Sequence, residues 1–386
     1  MLSAQFIIFI VLSVGYAMAV NVADIAECPA LPARQTPARD VTDLRIDDIK
    51  IIAGLGDSIM AGLAMNGIDY ENRGVFNLSL ISEYRGNSYA VGGNTGAITL
   101  PNFIKRYNPK VRGASVHSHV ISFCTNPYCG LPTSFYRPFT DRLNGAQSNA
   151  IAKNLDYELD YLIPRNFGLN VWMRMKAYYI FSSSFKNDWK MITINIGTND
   201  QCSSCSSKSE AYTTPEAYGK YVEAAILRIQ KEIPKVVVNL LGTFKVSGIF
   251  PLSAKNKSYC VKNGILENTK ECACSGSTAN MTKMDDLSDA YNEKLSILAA
   301  KYKGVVGGTF AVMYSPAPID FSSFPINALS NVDCFHPSKK GHQWFAKTLW
   351  NQLFIKRSLK PSVIGFQENL SIYCPTSVDR LPTTNA

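Results

Sequence analysis

Five apolar runs of strand length, at residues 49–55, 89–91, 191–196, 236–241 and 304–310, alternate along this chain with amphipathic stretches of helical spacing. The runs are continuous and do not alternate with polar residues, as expected of strands covered on both faces. Parallel strands need a crossover between them, and the intervening helical segments are long enough to supply one. The clearest helix is predicted over Pro215–Glu232, where Tyr218, Tyr221, Val222, Ala225, Ile226 and Ile229 share a face before Pro234 ends it. Two further helices are predicted over 284–302 and 337–355, the last rich in aromatics. The pattern predicts an α/β fold with a central parallel sheet between helical layers.

No internal repeat or low-complexity linker divides the 386 residues, and 46% hydrophobic with 18% charged residues suits a large globular core. The expected organisation is a leader at 1–19, an extended entry segment at 20–48, one domain at 49–357 and a C-terminal tail at 358–386. Two irregular stretches, 112–139 and the aromatic-rich 164–187, are long enough to be binding loops. A helix packed on the core is the plainer reading of the second.

The first 19 residues carry an apolar run from Phe6 to Val14 and a small-residue exit at Ala17-Met18-Ala19, which reads as a signal peptide lacking a basic start. A membrane anchor competes with it, although the run is short for a bilayer. In an oxidising compartment the ten cysteines read as disulfides. Cys124 with Cys129 and Cys202 with Cys205 make plausible small loops, and Cys28 with Cys374 would tie the ends together. Zinc held by Cys202, Cys205, Cys272 and Cys274 is the alternative. Sequons at Asn77, Asn256, Asn280 and Asn369 agree with a secreted, extracellular destination. The formal charge of +9 favours anionic partners, and no nucleic-acid motif accompanies it. The lysines are scattered, so the surplus reads as general surface charge, with peripheral contact with an anionic lipid surface as its functional version and no nucleic-acid partner. The C-terminal residues are polar and carry no lipid-anchor signal.

Chemistry is suggested by Gly56-Asp57-Ser58, which closes the first apolar run, and by Asp333-Cys334-Phe335-His336-Pro337 near the other end. A serine on a tight turn after a buried strand is placed as a nucleophile, and Asp-x-x-His offers a base with its orienting carboxylate. Of the four histidines, His117 and His119 lie in a polar loop and His342 lies inside an amphipathic helix. Only His336 follows a carboxylate at short range before a helix start. Gly92-Gly93-Asn94 and Gly197-Thr198-Asn199-Asp200 follow two other strands at the same edge of the expected sheet, where α/β folds place their sites.

These four ordered blocks resemble those of GDSL, or SGNH, hydrolases, and within them the phospholipase B branch. The surrounding Glu83-Tyr84-Arg85-Gly86, Thr99-Leu100-Pro101-Asn102 and Asp188-Trp189-Lys190 share that likeness. The resemblance implies a three-layer α/β/α, flavodoxin-like fold and an esterase that needs neither cofactor nor metal. It implies that Ser58 attacks the acyl carbonyl, that His336 takes its proton and that Asp333 orients the imidazole. The amides of Ser58 and of Gly93, or else Gly92, with the side chain of Asn199, would form the oxyanion hole. Asp57 is then a shaper of the turn. The implied substrates are acyl esters of glycerophospholipids or lysophospholipids. A short-chain or carbohydrate esterase, and an inactive lipid- or carbohydrate-binding protein on the same scaffold, are the other readings. Thr198 departs from the second glycine usual in that branch, and the two irregular segments look expanded.

Overall fold

The computed structural model describes residues 20–68, 81–163, 183–260 and 271–384. The leader, the sequon at Asn77 and residues 164–182 of the second irregular stretch lie outside the described residues.

In chain order the principal elements are β1 (Ile49–Gly56), α1 (Ser58–Ala61), α2 (Leu100–Tyr107), α3 (Leu155–Leu162), β2 (Trp189–Asn195), α4 (Thr198–Ser203), α5 (Pro215–Glu232), β3 (Val236–Leu241), α6 (Thr278–Lys301), β4 (Phe310–Ser315) and α7 (Lys339–Gln352). The four strands form one parallel sheet in the order β1-β2-β3-β4, with Gly56 paired to Asn195 and Leu240 to Tyr314 near their C-terminal ends. Successive strand residues face opposite layers. Ile52, Met191, Val237 and Met313 pack with Phe103, Ile104, Trp344 and Trp350 of α2 and α7. Leu55, Ile192, Val238 and Val312 pack with Leu159, Val222, Ile226 and Leu295 of α3, α5 and α6. The result is the three-layer α/β/α arrangement anticipated from the sequence.

The outer edge of β1 is covered by short pieces of irregular backbone. Ile52 N–H donates to Arg112 O at 2.9 Å and Gly54 N–H to Leu143 O at 3.0 Å, while Gln147 N–H donates to Gly56 O at 3.0 Å. This pairing satisfies an edge that would otherwise invite association. It also lays residues 143–150 alongside the end of β1.

Two expected strands are corrected. Residues 89–91 are buried but form a turn, because Gly92 N–H folds back onto Ser88 O at 2.8 Å. The last strand is Phe310–Ser315 and not 304–310, since Gly307 at φ +78° and the Gly308 to Val305 bond make a turn there. Five disulfides join Cys28–Cys374, Cys124–Cys129, Cys202–Cys272, Cys205–Cys274 and Cys260–Cys334. The small loop expected between Cys202 and Cys205 is therefore corrected: both ride the α4 end and cross to the Cys272–Cys274 strand of chain. The entry segment and tail dock together on the domain. Val20–Val22 pairs antiparallel with Ile372–Cys374, and Leu381 N–H donates to Leu44 O at 2.9 Å. Among the described residues no helix is long and apolar enough to cross a membrane.

Candidate active site

β1 is buried from Ile51 to Gly56 and delivers Asp57 and Ser58 to the C-terminal edge of the sheet. Gly56 is required by close approach: a Cβ there would lie 2.2 Å from Asn195 O of the neighbouring strand. Asp57 caps α1, its Oδ1 accepting from Ile59 N–H at 2.9 Å. Ser58 is thus the first residue of a helix turn, and its N–H has no partner among the described residues.

Asp333 and His336 form a self-braced turn. Asp333 Oδ1 accepts from the amides of Phe335 (2.9 Å) and His336 (3.0 Å), which leaves Oδ2 to meet His336 Nδ1 at 2.6 Å. The other ring nitrogen, Nε2, lies 2.7 Å from Ser58 Oγ. Ser58, Asp333 and His336, spread over most of the chain, are brought together and buried. The turn is pinned from outside by the Cys260–Cys334 disulfide and by the Ser330 N–H to His336 O bond of 2.8 Å. Cys334, between the acid and the base, adopts φ +51°.

Burial alone would lower the proton affinity of His336, but the adjoining Asp333 carboxylate prevails, with Glu271 and Asp57 adding to it, and raises the pKa to about 9. Burial pushes Asp57 up to about 6, against the Ile59 amide and the His336 charge. It pushes Asp200 up to about 8, with the Asp57 charge adding to the effect. His342, expected inside a helix, sits buried in α7 with its pKa pushed down to about 3 by burial, and it accepts from Tyr89 N–H. His119 bonds Asp141 at 2.7 Å and makes no contact with Ser58 among the described residues.

Gly93 is the main correction to the sequence reading of this site. Its N–H donates to Ser115 O at 2.7 Å, and that of Gly92 is taken by Ser88 O. Neither amide is free for an oxyanion unless an existing backbone bond breaks. The segment that does lie beside Ser58 is 147–150. Gln147 is bonded to Gly56, and Asn199 Nδ2 donates to Ala150 O at 3.0 Å. Within it Asn149 has φ +61°, and its N–H has no partner among the described residues. Asn199 is half-buried at the start of α4, where Gly197 takes φ +128° because a Cβ would meet Thr243 at 2.5 Å. One N–H of its amide group remains after the bond to Ala150. Asn149 gave little sequence signal: Gly145-Ala146-Gln147-Ser148-Asn149 follows no apolar run, and only the tolerance of Asn for positive φ hints at a special backbone position.

A mostly apolar pocket opens along the same sheet edge. Ile59, next in the chain to Ser58, lines it with Leu241, Phe244, Ala317, Phe345 and Leu349.

The model of the family described as GDSL-like Lipase/Acylhydrolase matches residues 52–349, well over half of the sequence. The chain belongs to this family. It is a hydrolase of carboxylic esters by that membership, as the sequence reading expected. Among curated proteins it is similar to human "Phospholipase B1, membrane-associated", at 26% identity over 362 residues covering 91% of this chain and 22% of the relative. The mouse protein of the same name shows 26% identity over 362 residues, covering 90% of this chain and 22% of the relative. The chain therefore spans about a fifth of the length of these relatives. Among solved structures it is similar to an extracellular lipase from Streptomyces rimosus, with TM-score 0.33 and 15% identity over 78% of this chain and 98% of that one. A phospholipase A1 from Streptomyces albidoflavus matches with TM-score 0.34 and 12% identity over 79% and 99%.

Proposed function

We propose that this enzyme is a secreted esterase that cleaves acyl esters of glycerophospholipids or lysophospholipids through an acyl-enzyme on Ser58. The observation that carries the reading is the buried, unbroken relay from Asp333 to His336 to Ser58, with contacts of 2.6 and 2.7 Å.

In the first half-reaction Ser58 Oγ bonds to the acyl carbon while His336 Nε2 takes its proton. The carbonyl electrons move onto oxygen and return as the bond to the glycerol oxygen breaks, and His336 hands its proton to that leaving oxygen. Water then repeats the sequence on the acyl-serine, freeing the fatty acid and Ser58. Asp333 holds the imidazole tautomer and offsets the charge it acquires. The tetrahedral oxyanion is received by the N–H of Ser58, the N–H of Asn149 in place of Gly93, and the side-chain amide of Asn199. The pocket behind Ile59 is mostly apolar, which suits an acyl chain. The five disulfides support an oxidising, extracellular setting. The names of the phospholipase B1 relatives support the choice of a phospholipid ester.

Fatty-acid release from phosphatidylcholine vesicles tests this reading, compared with release from short p-nitrophenyl esters. Preference for the phospholipid, abolished in Ser58→Ala, is the expected result. Turnover of short esters alone would transfer the protein to the short-chain esterase reading.

A further inference from the structure

The exposed Phe and Tyr side chains among the described residues, Phe123, Tyr128, Phe135 and Phe139, all fall in one stretch of the chain. Val120 and Leu131 add to it, and Phe139 is 65% exposed. Scattered apolar residues on a surface need no explanation, but a cluster of large ones drawn from one segment marks an interaction face. The segment is not a loose loop. The Cys124–Cys129 disulfide closes its tip, Tyr136 is stacked on Tyr161 in the core at 3.8 Å, and its OH donates to Gly145 O at 2.6 Å. Phe135 and Phe139 therefore project from a fixed base.

Charge tells what the face meets. From Arg112 to Thr140 the chain contains no carboxylate; Arg137 lies within the aromatic segment and Lys153 lies 4.1 Å over the Tyr128 ring, whereas Arg112, at the edge of β1, is paired with Asp188. Aromatic rings interleaved with cations and free of acids suit the interfacial zone of an anionic bilayer. Position adds a second argument. Cys124 N–H bonds Ser148 O at 2.9 Å, Ser148 N–H bonds Ser122 O at 3.0 Å, and Asn149 Nδ2 bonds Cys124 O at 2.8 Å. The exposed segment is thus laced to the residue that borders the nucleophile.

We propose that the surface of residues 120–139 docks this enzyme on an anionic phospholipid bilayer and holds the Ser58 cleft against the ester layer. The bilayer contact stands on its own observations. Its link to turnover rests on the esterase reading above.

The test separates the two. In a Ser58→Ala background, flotation is measured with vesicles of phosphatidylcholine containing phosphatidylserine and with phosphatidylcholine alone. The parent binds the anionic vesicles, less at high salt. Phe135→Ser with Phe139→Ser weakens that binding roughly tenfold or more, whereas Val305→Ser with Val306→Ser, exposed apolar residues outside the segment, leaves it intact. With Ser58 restored, the Phe135/Phe139 variant turns over a soluble short ester like the wild type and loses activity on vesicles. Equal vesicle binding by parent and variant, or no binding by the parent, overturns the proposal. So does a dimer in size-exclusion chromatography that the variant dissolves, since the face would then belong to a second copy. Absence of soluble-ester turnover in the wild type would defeat the esterase reading while leaving the binding result intact.

Discussion

Arg85 reaches across the interior to donate to the carbonyl oxygen of Ala146 at 2.7 Å, 61 residues further along the chain. The same guanidinium donates to Asn144 O at 3.1 Å and is fully buried against the carboxylates of Glu83 and Asp141. Glu83 in turn accepts from Ser148 Oγ at 2.7 Å. A charged cluster of this kind is costly to bury and strongly destabilising to break. Here its return is positional: it fixes the backbone of residues 144–148 next to Gly56, immediately before Asn149.

Breaking the cluster from one side shows that cost. Arg85→Met strands two buried carboxylates and lowers unfolding stability by about 3–5 kcal/mol in urea titration. Ser148→Ala removes one bond to Glu83 and costs about 1–3 kcal/mol. In that milder variant kcat on a soluble ester falls while KM changes little, because the bond positions an oxyanion donor and not the substrate.

The donors themselves are separable by substitution. Asn199→Ala removes a side-chain donor and slows kcat about a hundredfold with KM little changed. Asn149→Gly keeps both the amide and the positive φ and retains turnover, although the Asn149 side-chain bond to Cys124 O is lost. Asn149→Val forces a β-branched residue to φ +61° and loses turnover by a comparable factor. Steady-state kinetics on these three variants checks the assignment. Loss of kcat in Asn149→Gly equal to that in Asn149→Val would return the role to another amide.

The fold was largely legible because β1, β2 and β3 are buried on both faces and so appear as unbroken apolar runs. The cluster of Ser58, Asp333 and His336 was legible because Gly56-Asp57-Ser58 and Asp333 to His336 are local turns whose side chains carry their own signal. What failed was non-local. Val91 is as apolar as a strand residue, yet the Gly92 to Ser88 bond curls it into a turn, and the Gly93 amide was lost to Ser115, a partner no local pattern announces. Cys202 and Cys205 looked like a pair by spacing, but both reach partners about 70 residues away. Asn149 was missed because its place comes from the cover over the β1 edge and not from a motif.

The proposed mechanism needs His336 neutral, and its pKa is raised from 6.5 to about 9 chiefly by Asp333 against the opposing effect of burial. The imidazole is therefore protonated at neutral pH in the free enzyme, and kcat/KM on a soluble ester rises with pH through the alkaline range. Asp333→Asn moves this limb to lower pH and sharply reduces the plateau. Glu271→Gln also moves it down, since Glu271 adds to the charge that holds the proton, but keeps the plateau. A limb at an ordinary histidine value in the wild type would contradict this electrostatic account.

Asp200 gives a stability prediction of opposite character. Its pKa is raised by burial, so the folded state binds a proton that the unfolded chain has released between pH 3.8 and about 8. Wild-type stability from this group is full below the lower value and is lost as pH rises through the upper one. Asp200→Asn removes the titration while keeping an acceptor for Ala152 N–H. Thermal melts across pH are expected to show the variant gaining on the wild type as pH increases. A constant difference would contradict it.

The central claim is that Ser58, activated by His336, is the nucleophile. Mass spectrometry of the protein after reaction with a fluorophosphonate measures this directly. A single adduct on Ser58, absent in His336→Ala protein of unchanged fold, is the result the account predicts. An adduct elsewhere, or undiminished ester turnover by Ser58→Ala, would contradict it.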